Sequence, residues 1–311
     1  MDRRTYIKLS SVTAAGLGLA GCTGSGGSGE SSGDGESGSG GSSDGGSGSD
    51  GSSGDGSSEE MTEAETTESV VPETVVIGSD IPYRPFEYET AAGELKGFDV
   101  EIAQAVFEEQ LGASYEFKKT SFDTIIPSLN NGNFRVIMSA MTINDERAEQ
   151  VDFSEPYFTA YQTIIVREDS DISSREDLRG AAVGVQKGTT GLGAAEQLQE
   201  EFDGDLNLKE YDQITGAFDA LMNGQVDAVI NDNTVNAEFV NNQEGVRFVE
   251  GEGAAAEQGE NAPPYLTLTV ENYGIAFRQD DDAFRERVNE ALAAIREDGT
   301  YEEIYSNYFS G

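Results

Sequence analysis

Residues 138–157, MSAMTINDERAEQVDFSEPY, set one guanidinium, Arg147, in an acidic stretch of a chain with 59 acids and 19 bases over 311 residues. Arginine's planar, permanently charged fork matches a carboxylate through two parallel hydrogen bonds, which lysine's point charge cannot copy. The ordinary alternative is a surface ion pair with Asp145, Glu146 or Glu149, worth little. Other polar segments could share a ligand with Arg147. Asp80-Ile81-Pro82-Tyr83-Arg84-Pro85-Phe86 follows the β-branched run TVVIGS, and Gln186-Lys187-Gly188-Thr189-Thr190 follows AAVGV and opens a helix. A helix start offers free backbone N–H groups suited to a carboxylate, although alone it is only a cap. SLNNGNFRVIMSA (128–140) lines up with ALMNGQVDAVIND (220–232). In each, a helix closes on Asn-Gly, a natural left-handed stop, and a buried strand follows. If the echo is structural rather than chance, Ser139-Ala140 and Asn231-Asp232 take the same place in two sheets. That place lies past a strand's carboxyl end, where open α/β sheets bind ligands.

The elements that must hold these residues alternate. TVVIGS at 74–79 predicts a strand, residues 98–111 a helix with Phe98, Ile102 and Val106 on one face, and residues 115–118 a strand. After Arg167 come AAVGVQ, the helical TGLGAAEQLQEEF, NLKEY, the helical DQITGAFDALMNG and VDAVIND. Strand and helix in turn predict α/β architecture with open, largely parallel sheets.

The first seventy or so residues read differently. Arg3-Arg4, the short apolar run 12–20 and Leu19-Ala20-Gly21-Cys22 have the order of an export signal, too short to span a bilayer in the mature protein. The order resembles a twin-arginine signal joined to a lipobox, whose cysteine receives a lipid and becomes the mature N-terminus. The plain alternatives are a basic leader and a free or buried thiol. Cys22 is the only cysteine and there is no histidine, so no disulfide within the chain and no Cys- or His-rich metal site is expected. Residues 23–72, rich in Gly, Ser, Asp, Glu and Thr, read as a flexible tether reaching roughly 40 Å.

The formal charge is −40; residues 1–72 hold only 12 of the 59 acids and 3 of the 19 bases, which leaves −31 on the remainder. That excess argues against nucleic-acid or anionic-membrane binding. Concentrated salt screens it, because the Debye length falls to about 3 Å at 1 M. The charge therefore reads as that of a halophile's protein, the alternative being an acidic secreted protein of a mesophile.

Several motifs recur in a known order: Asp80…Tyr83…Pro85-Phe86, Gly97-Phe98-Asp99-Val100, Ile126-Pro127-Ser128-Leu129, Met141-Thr142…Arg147, Phe153-Ser154…Pro156-Tyr157, Gly188-Thr189-Thr190 and Asp298-Gly299-Thr300-Tyr301…Ile304-Tyr305. Together, over residues 73–311, they resemble the family 3 solute-binding proteins of amino-acid ABC importers, here of haloarchaeal type. The resemblance implies the two-lobed periplasmic-binding-protein-like fold (type II), two open α/β sheets joined by a two-segment hinge. Lobe 1 is expected at 73–160 and 271–311 and lobe 2 at 161–270. The crossings are expected near 159–162 and 268–273, and the helices from Asp282 onward on lobe 1.

The resemblance also implies an interlobe cleft that clamps a free amino acid. Arg147 is expected to hold the α-carboxylate with Thr142 and Thr190, and Asp232 with the Ser139-Ala140 carbonyl region the ammonium. Tyr83 and Phe122 would flank the side chain, and Asp80, Gln186 and Asn231 stand where side-chain specificity is decided. The ordinary alternatives are Asp232 as a helix cap and Tyr83 and Phe122 as core aromatics. Two departures stand out: Arg135, where the family more often has an acid, and the segment 250–264, which reads as an insertion in lobe 2.

The expected product is a monomeric, lipid-anchored extracytoplasmic receptor for a polar or charged amino acid, without cofactor or metal. Permease and ATPase are expected on other chains. A cyclohexadienyl or arogenate dehydratase-like enzyme and a sensory ligand-binding module are the competing functions. The first is disfavoured by the lack of histidine, of a thiol left free after lipidation and of a metal cluster. The second is disfavoured by the lack of a signalling domain or transmembrane helix in this chain.

Overall fold

The structure, a computed structural model, describes residues 69–258 and 262–309. The export signal, Cys22 and nearly all of the tether lie outside the described residues. From β1 (Thr74–Ser79) the chain forms a small hairpin, β2 (Tyr88–Glu89) and β3 (Leu95–Lys96). It continues through α1 (Phe98–Ala103), β4 (Ser114–Lys119), α2 (Ile125–Asn130), β5 (Val136–Ile137), α3 (Asp145–Ala148) and β6 (Asp152–Phe153). The long β7 (Phe158–Arg167) opens a second alternation: β8 (Ala182–Gln186), α4 (Thr190–Glu201), β9 (Asn207–Tyr211), α5 (Ile214–Met222), β10 (Ala228–Asp232), α6 (Asn233–Asn242) and β11 (Val246–Phe248). β12 (Thr267–Tyr273), β13 (Ala276–Phe277), α7 (Asp282–Glu297) and α8 (Thr300–Phe309) complete the chain.

Apart from the β2-β3 hairpin, the strands make two sheets, so the molecule has two α/β lobes. One sheet runs β4-β1-β5-β13-β6; the other runs β11-β7-β10-β8-β9, with β12 also paired to β7. β1 is parallel to both neighbours, as is β8, whereas β13 is antiparallel to β5 and β6. β7 and β12 run antiparallel from Phe158 opposite Tyr273 to Thr163 opposite Thr267, with a bulge between Thr267 and Val270. Among the described residues no helix is long and apolar enough to cross a membrane.

Phe98, Ile102 and Val106 are buried together, as their spacing predicts. The helix they define is not uniform, however. Regular α-geometry ends at Ala103 and Gln104–Gln110 forms wider π-helical turns, in which Leu111 N–H reaches Val106 C=O. The wide turn lets Ala105, Val106 and Phe107, three successive residues, all face the core, which a 3.6-residue repeat does not. Phe107 thereby stacks on Phe284 of α7. Arg135 finds its own counter-ion: the fork donates to both carboxylate oxygens of Asp281 at 2.6 and 2.8 Å, with the guanidinium over Phe284.

The internal echo is structural. Gly132 and Gly224 both stand in the left-handed region, φ +76 and +68, one closing α2 and the other α5. β5 and β10 follow them, and Ser139-Ala140 and Asn231-Asp232 come at the carboxyl ends of these strands.

Candidate functional site

Ten of the eleven predicted ligand residues line one small cavity between the lobes: Asp80, Tyr83, Phe122, Ser139, Ala140, Thr142, Arg147, Gln186, Thr190 and Asp232. Asn231 does not line it. Its side chain lies behind the wall, where Oδ1 accepts a hydrogen bond from the Tyr83 hydroxyl at 3.0 Å. Thr189 lines the cavity too, and its hydroxyl accepts Leu192 N–H as the cap of α4. The helix-start motif Gly188-Thr189-Thr190 contains both threonines, whereas the resemblance implies only Thr190 as a ligand residue.

Arg147 sits in the short α3, whose start is capped by Asn144 Oδ1 accepting Arg147 N–H at 2.9 Å. Its side chain is no surface charge: the residue is 7% exposed. One terminal nitrogen donates to Thr142 C=O at 2.7 Å and the other to Gly188 C=O, across the cleft, at 3.1 Å. Phe122 packs against the guanidinium at 5.3 Å. These contacts fix the plane of the fork. Burial lowers the Arg147 pKa, and Glu271 and Asp232 oppose that shift. The Thr142 and Thr190 hydroxyls stand 3.4 Å apart beside it. Gly188 has φ +72, and a β-carbon there would lie 2.9 Å from Asp123 Cα of the other lobe, so the close approach requires glycine.

Asp232 ends β10 and precedes α6, yet its side chain makes no capping hydrogen bond. Its carboxylate accepts instead from Gln162 Nε2 at 2.6 Å and from the Tyr83 hydroxyl. Burial, then the nearby Glu271, push Asp232 up to about 7, against the pull of Tyr83 and Arg147. Burial holds Tyr83 well above its ordinary value, so it stays a donor. At the other end of the cavity Asp80, also buried, accepts from the amides of Gln186 and, at 3.3 Å, Gln213. Burial raises the Asp80 pKa while these two amides lower it.

Gln162, Gln213 and Glu271 went unnoticed in the sequence. Gln162 lies within β7, Glu271 within β12 and Gln213 just before α5, and nothing in their local spacing marks them. The assembled groups can do two things at once. A fixed guanidinium and the start of α4 face one end of a small molecule, and buried carboxylates face its cationic groups. Such partners replace the hydration that a zwitterion loses on burial.

Known proteins share this frame. A probable histidine-binding protein of Neisseria gonorrhoeae is 33% identical over 237 residues, covering 75% of this chain and 82% of that one. Among solved structures, an ancestral arginine-binding protein bound to arginine is similar with a TM-score of 0.69 and 38% identity, covering 77% of this chain and 99% of that chain. An ancestral amino acid-binding protein, a precursor of cyclohexadienyl dehydratase, gives 0.65 and 35%, over 76% and 96%. Residues 75–311 match the model of the bacterial extracellular solute-binding proteins, family 3. With two α/β lobes facing each other across this cavity, the chain belongs to that family.

Proposed function

We propose that the protein captures a free amino acid with a cationic side chain, L-arginine first, between its lobes and presents it to an amino-acid ABC importer. The observation that carries the choice is Asp80. It is a buried carboxylate on the cavity wall whose hydrogen-bond donors are the neutral amides of Gln186 and Gln213. Near the cavity the carboxyls of Asp80, Asp232 and Glu271 outnumber the cations, the Arg147 guanidinium and, toward Asp80, Lys119. The α-carboxylate and α-ammonium of a ligand cancel each other, so only a cationic side chain improves that balance. The arginine and histidine named for the relatives above are of this class.

The test is calorimetry across the twenty amino acids in high salt. L-Arginine should bind most tightly. Asp80→Asn should weaken L-arginine by about 2 kcal/mol or more, the scale for losing one member of a buried charged pair, and L-glutamine by far less. Preferential binding of leucine or valine, or equal losses for arginine and glutamine in Asp80→Asn, would sink this ligand class.

The family frame supports lobe 1 as 73–160 with 271–311 and lobe 2 as 161–270, the protein acting as a monomer without catalysis. Formation of an aromatic product from arogenate or prephenate would instead make it a dehydratase. The Arg3-Arg4 leader and Leu19-Ala20-Gly21-Cys22 support twin-arginine export and a lipid anchor on Cys22 at the extracytoplasmic face of the cell membrane. The mass of the mature N-terminal peptide checks the anchor. The −31 charge supports a saline habitat, haloarchaeal in type. The melting temperature should therefore be markedly higher in about 3 M than in about 0.1 M KCl, where repulsion is screened over roughly 10 Å only. Equal melting in the two would remove the salt argument.

A further inference from the structure

The Ser139-Ala140 turn forms part of the cavity wall, and two fully buried carboxyl groups hold it from behind, one through its backbone and one through the Ser139 hydroxyl. Ala140 has φ +47, the left-handed region that a residue with a β-carbon rarely adopts. Its N–H donates to Asp99 Oδ2 at 2.9 Å. The Ser139 hydroxyl donates to Glu87 Oε1 at 2.8 Å and accepts Asp80 N–H at 2.9 Å. Tyr157 in turn donates its hydroxyl to Asp99, 2.9 Å from each oxygen.

Glycine makes this arrangement possible. Gly97 has φ +139, and a β-carbon there would fall 2.0 Å from Phe86 C=O. With none, the start of α1 presses onto residues 86–87, where Asp99 N–H bonds Phe86 C=O at 3.0 Å. Asp99 and Glu87 thereby come beneath the same turn.

The peptide between Ser139 and Ala140 is trans, since the cis bonds among the described residues are Ile81-Pro82 and Arg84-Pro85. In a trans peptide N–H and C=O point to opposite sides. With Ala140 N–H turned back to Asp99, the Ser139 carbonyl is turned forward, to the side of the cavity. Burial and the neighbouring Asp99 push Glu87 well above the carboxylate range, and burial brings Asp99 to about 6. Of the two, Glu87 is pushed further from its ordinary value, and Asp99 keeps hydrogen bonds from Ala140 N–H and Tyr157 that favour its charge.

We propose that Asp99, with Glu87 behind Ser139, is a positioning residue that aims the Ser139 carbonyl at the ligand's α-ammonium and so selects for ligands bearing an α-amino group. Asp99 does not line the cavity. It acts through the one peptide, whose dipole its charge fixes before ligand arrives. A fixed acceptor needs no reorganisation on binding, which is where preorganised sites gain affinity. This inference rests on the amino-acid reading of the cavity.

The test compares L-arginine with 5-guanidinopentanoic acid, the same molecule without its α-amino group. Asp99→Asn keeps the size of the side chain and removes its charge. Calorimetry should show L-arginine weakened about tenfold to a hundredfold, the scale of one charge-assisted hydrogen bond, and the des-amino acid by less than about threefold. Equal losses for both, or no loss for either, would overturn the proposal.

Should Asp99→Asn fail to fold, nitrogen-15 NMR of the wild type decides. The Ala140 amide signal should follow the titration of Asp99 and shift on addition of L-arginine, but not of the des-amino acid. A signal indifferent to both pH and arginine would equally overturn it. A wild-type protein that binds no amino acid refutes the function itself, an outcome distinct from a variant that binds without discriminating.

Discussion

Arg147→Ala is expected to weaken amino-acid binding by about 2 to 5 kcal/mol, the scale for stranding one member of a buried charged pair, or roughly 30-fold to several-thousand-fold. The fork is held in plane by Thr142 C=O and Gly188 C=O, with Phe122 against its face. A carboxylate that lies along such a fork gains two parallel bonds for little lost freedom. Arg147→Lys keeps the charge but not the plane, so it should recover only part of the loss. Calorimetry on the three proteins with L-arginine checks this. Undiminished affinity in Arg147→Ala would mean that the guanidinium is structural, bridging Thr142 to Gly188, and that the ligand carboxylate lies elsewhere.

Asp232 leads to a prediction in pH. In the free protein burial and Glu271 hold its carboxyl at about 7. An ammonium requires the ionised form, so below that pH a proton must leave before the contact forms. The cost is about 1.4 kcal/mol per pH unit. Affinity should therefore rise about tenfold per unit from roughly pH 5 to 7 and level off above. The sign follows from the acid: the proton is bound below the pKa and opposes the ligand there. Proton release measured in buffers of different ionisation enthalpy checks it independently. Asp232→Asn should reduce the slope to what Asp99, at about 6, contributes and weaken binding at pH 8 by about 2 to 5 kcal/mol. A slope undiminished in the variant would assign the proton to another group.

What could be seen in the sequence was what repeats locally. Strand, Asn-Gly stop and strand end are written in adjacent residues, so Ser139-Ala140 and Asn231-Asp232 could be placed before any fold was known. Arg147 stood out because a guanidinium is scarce in so acidic a chain. Long-range pairing is not written that way. Gln162, Gln213 and Glu271 reach the site only because β7, β12 and α5 converge on it. Asp99 belongs to the Gly97-Phe98-Asp99-Val100 motif, but nothing local links it to Ser139-Ala140, and Glu87 looks like any other of the 59 acids of the chain. Their burial depends on Gly97 letting two segments touch. Asn231 shows the converse: spacing puts it at the strand end, but its side chain reaches the Tyr83 hydroxyl beside Asp232 without lining the cavity.

The place of β13 bears on how the molecule is made. All strands of the second sheet come from one unbroken stretch, Phe158 to Tyr273, so a growing chain can finish that lobe by itself. The first sheet cannot close until β13 slips between β5 and β6, and α7 and α8 follow it. Chain made first is therefore completed last. Its closure joins residues far apart in sequence, the kind of pairing that folds slowly. A chain that has emerged only as far as β12 carries a finished second lobe and an open-edged first one. An export route that accepts only folded cargo would hold it back until the final helix is released.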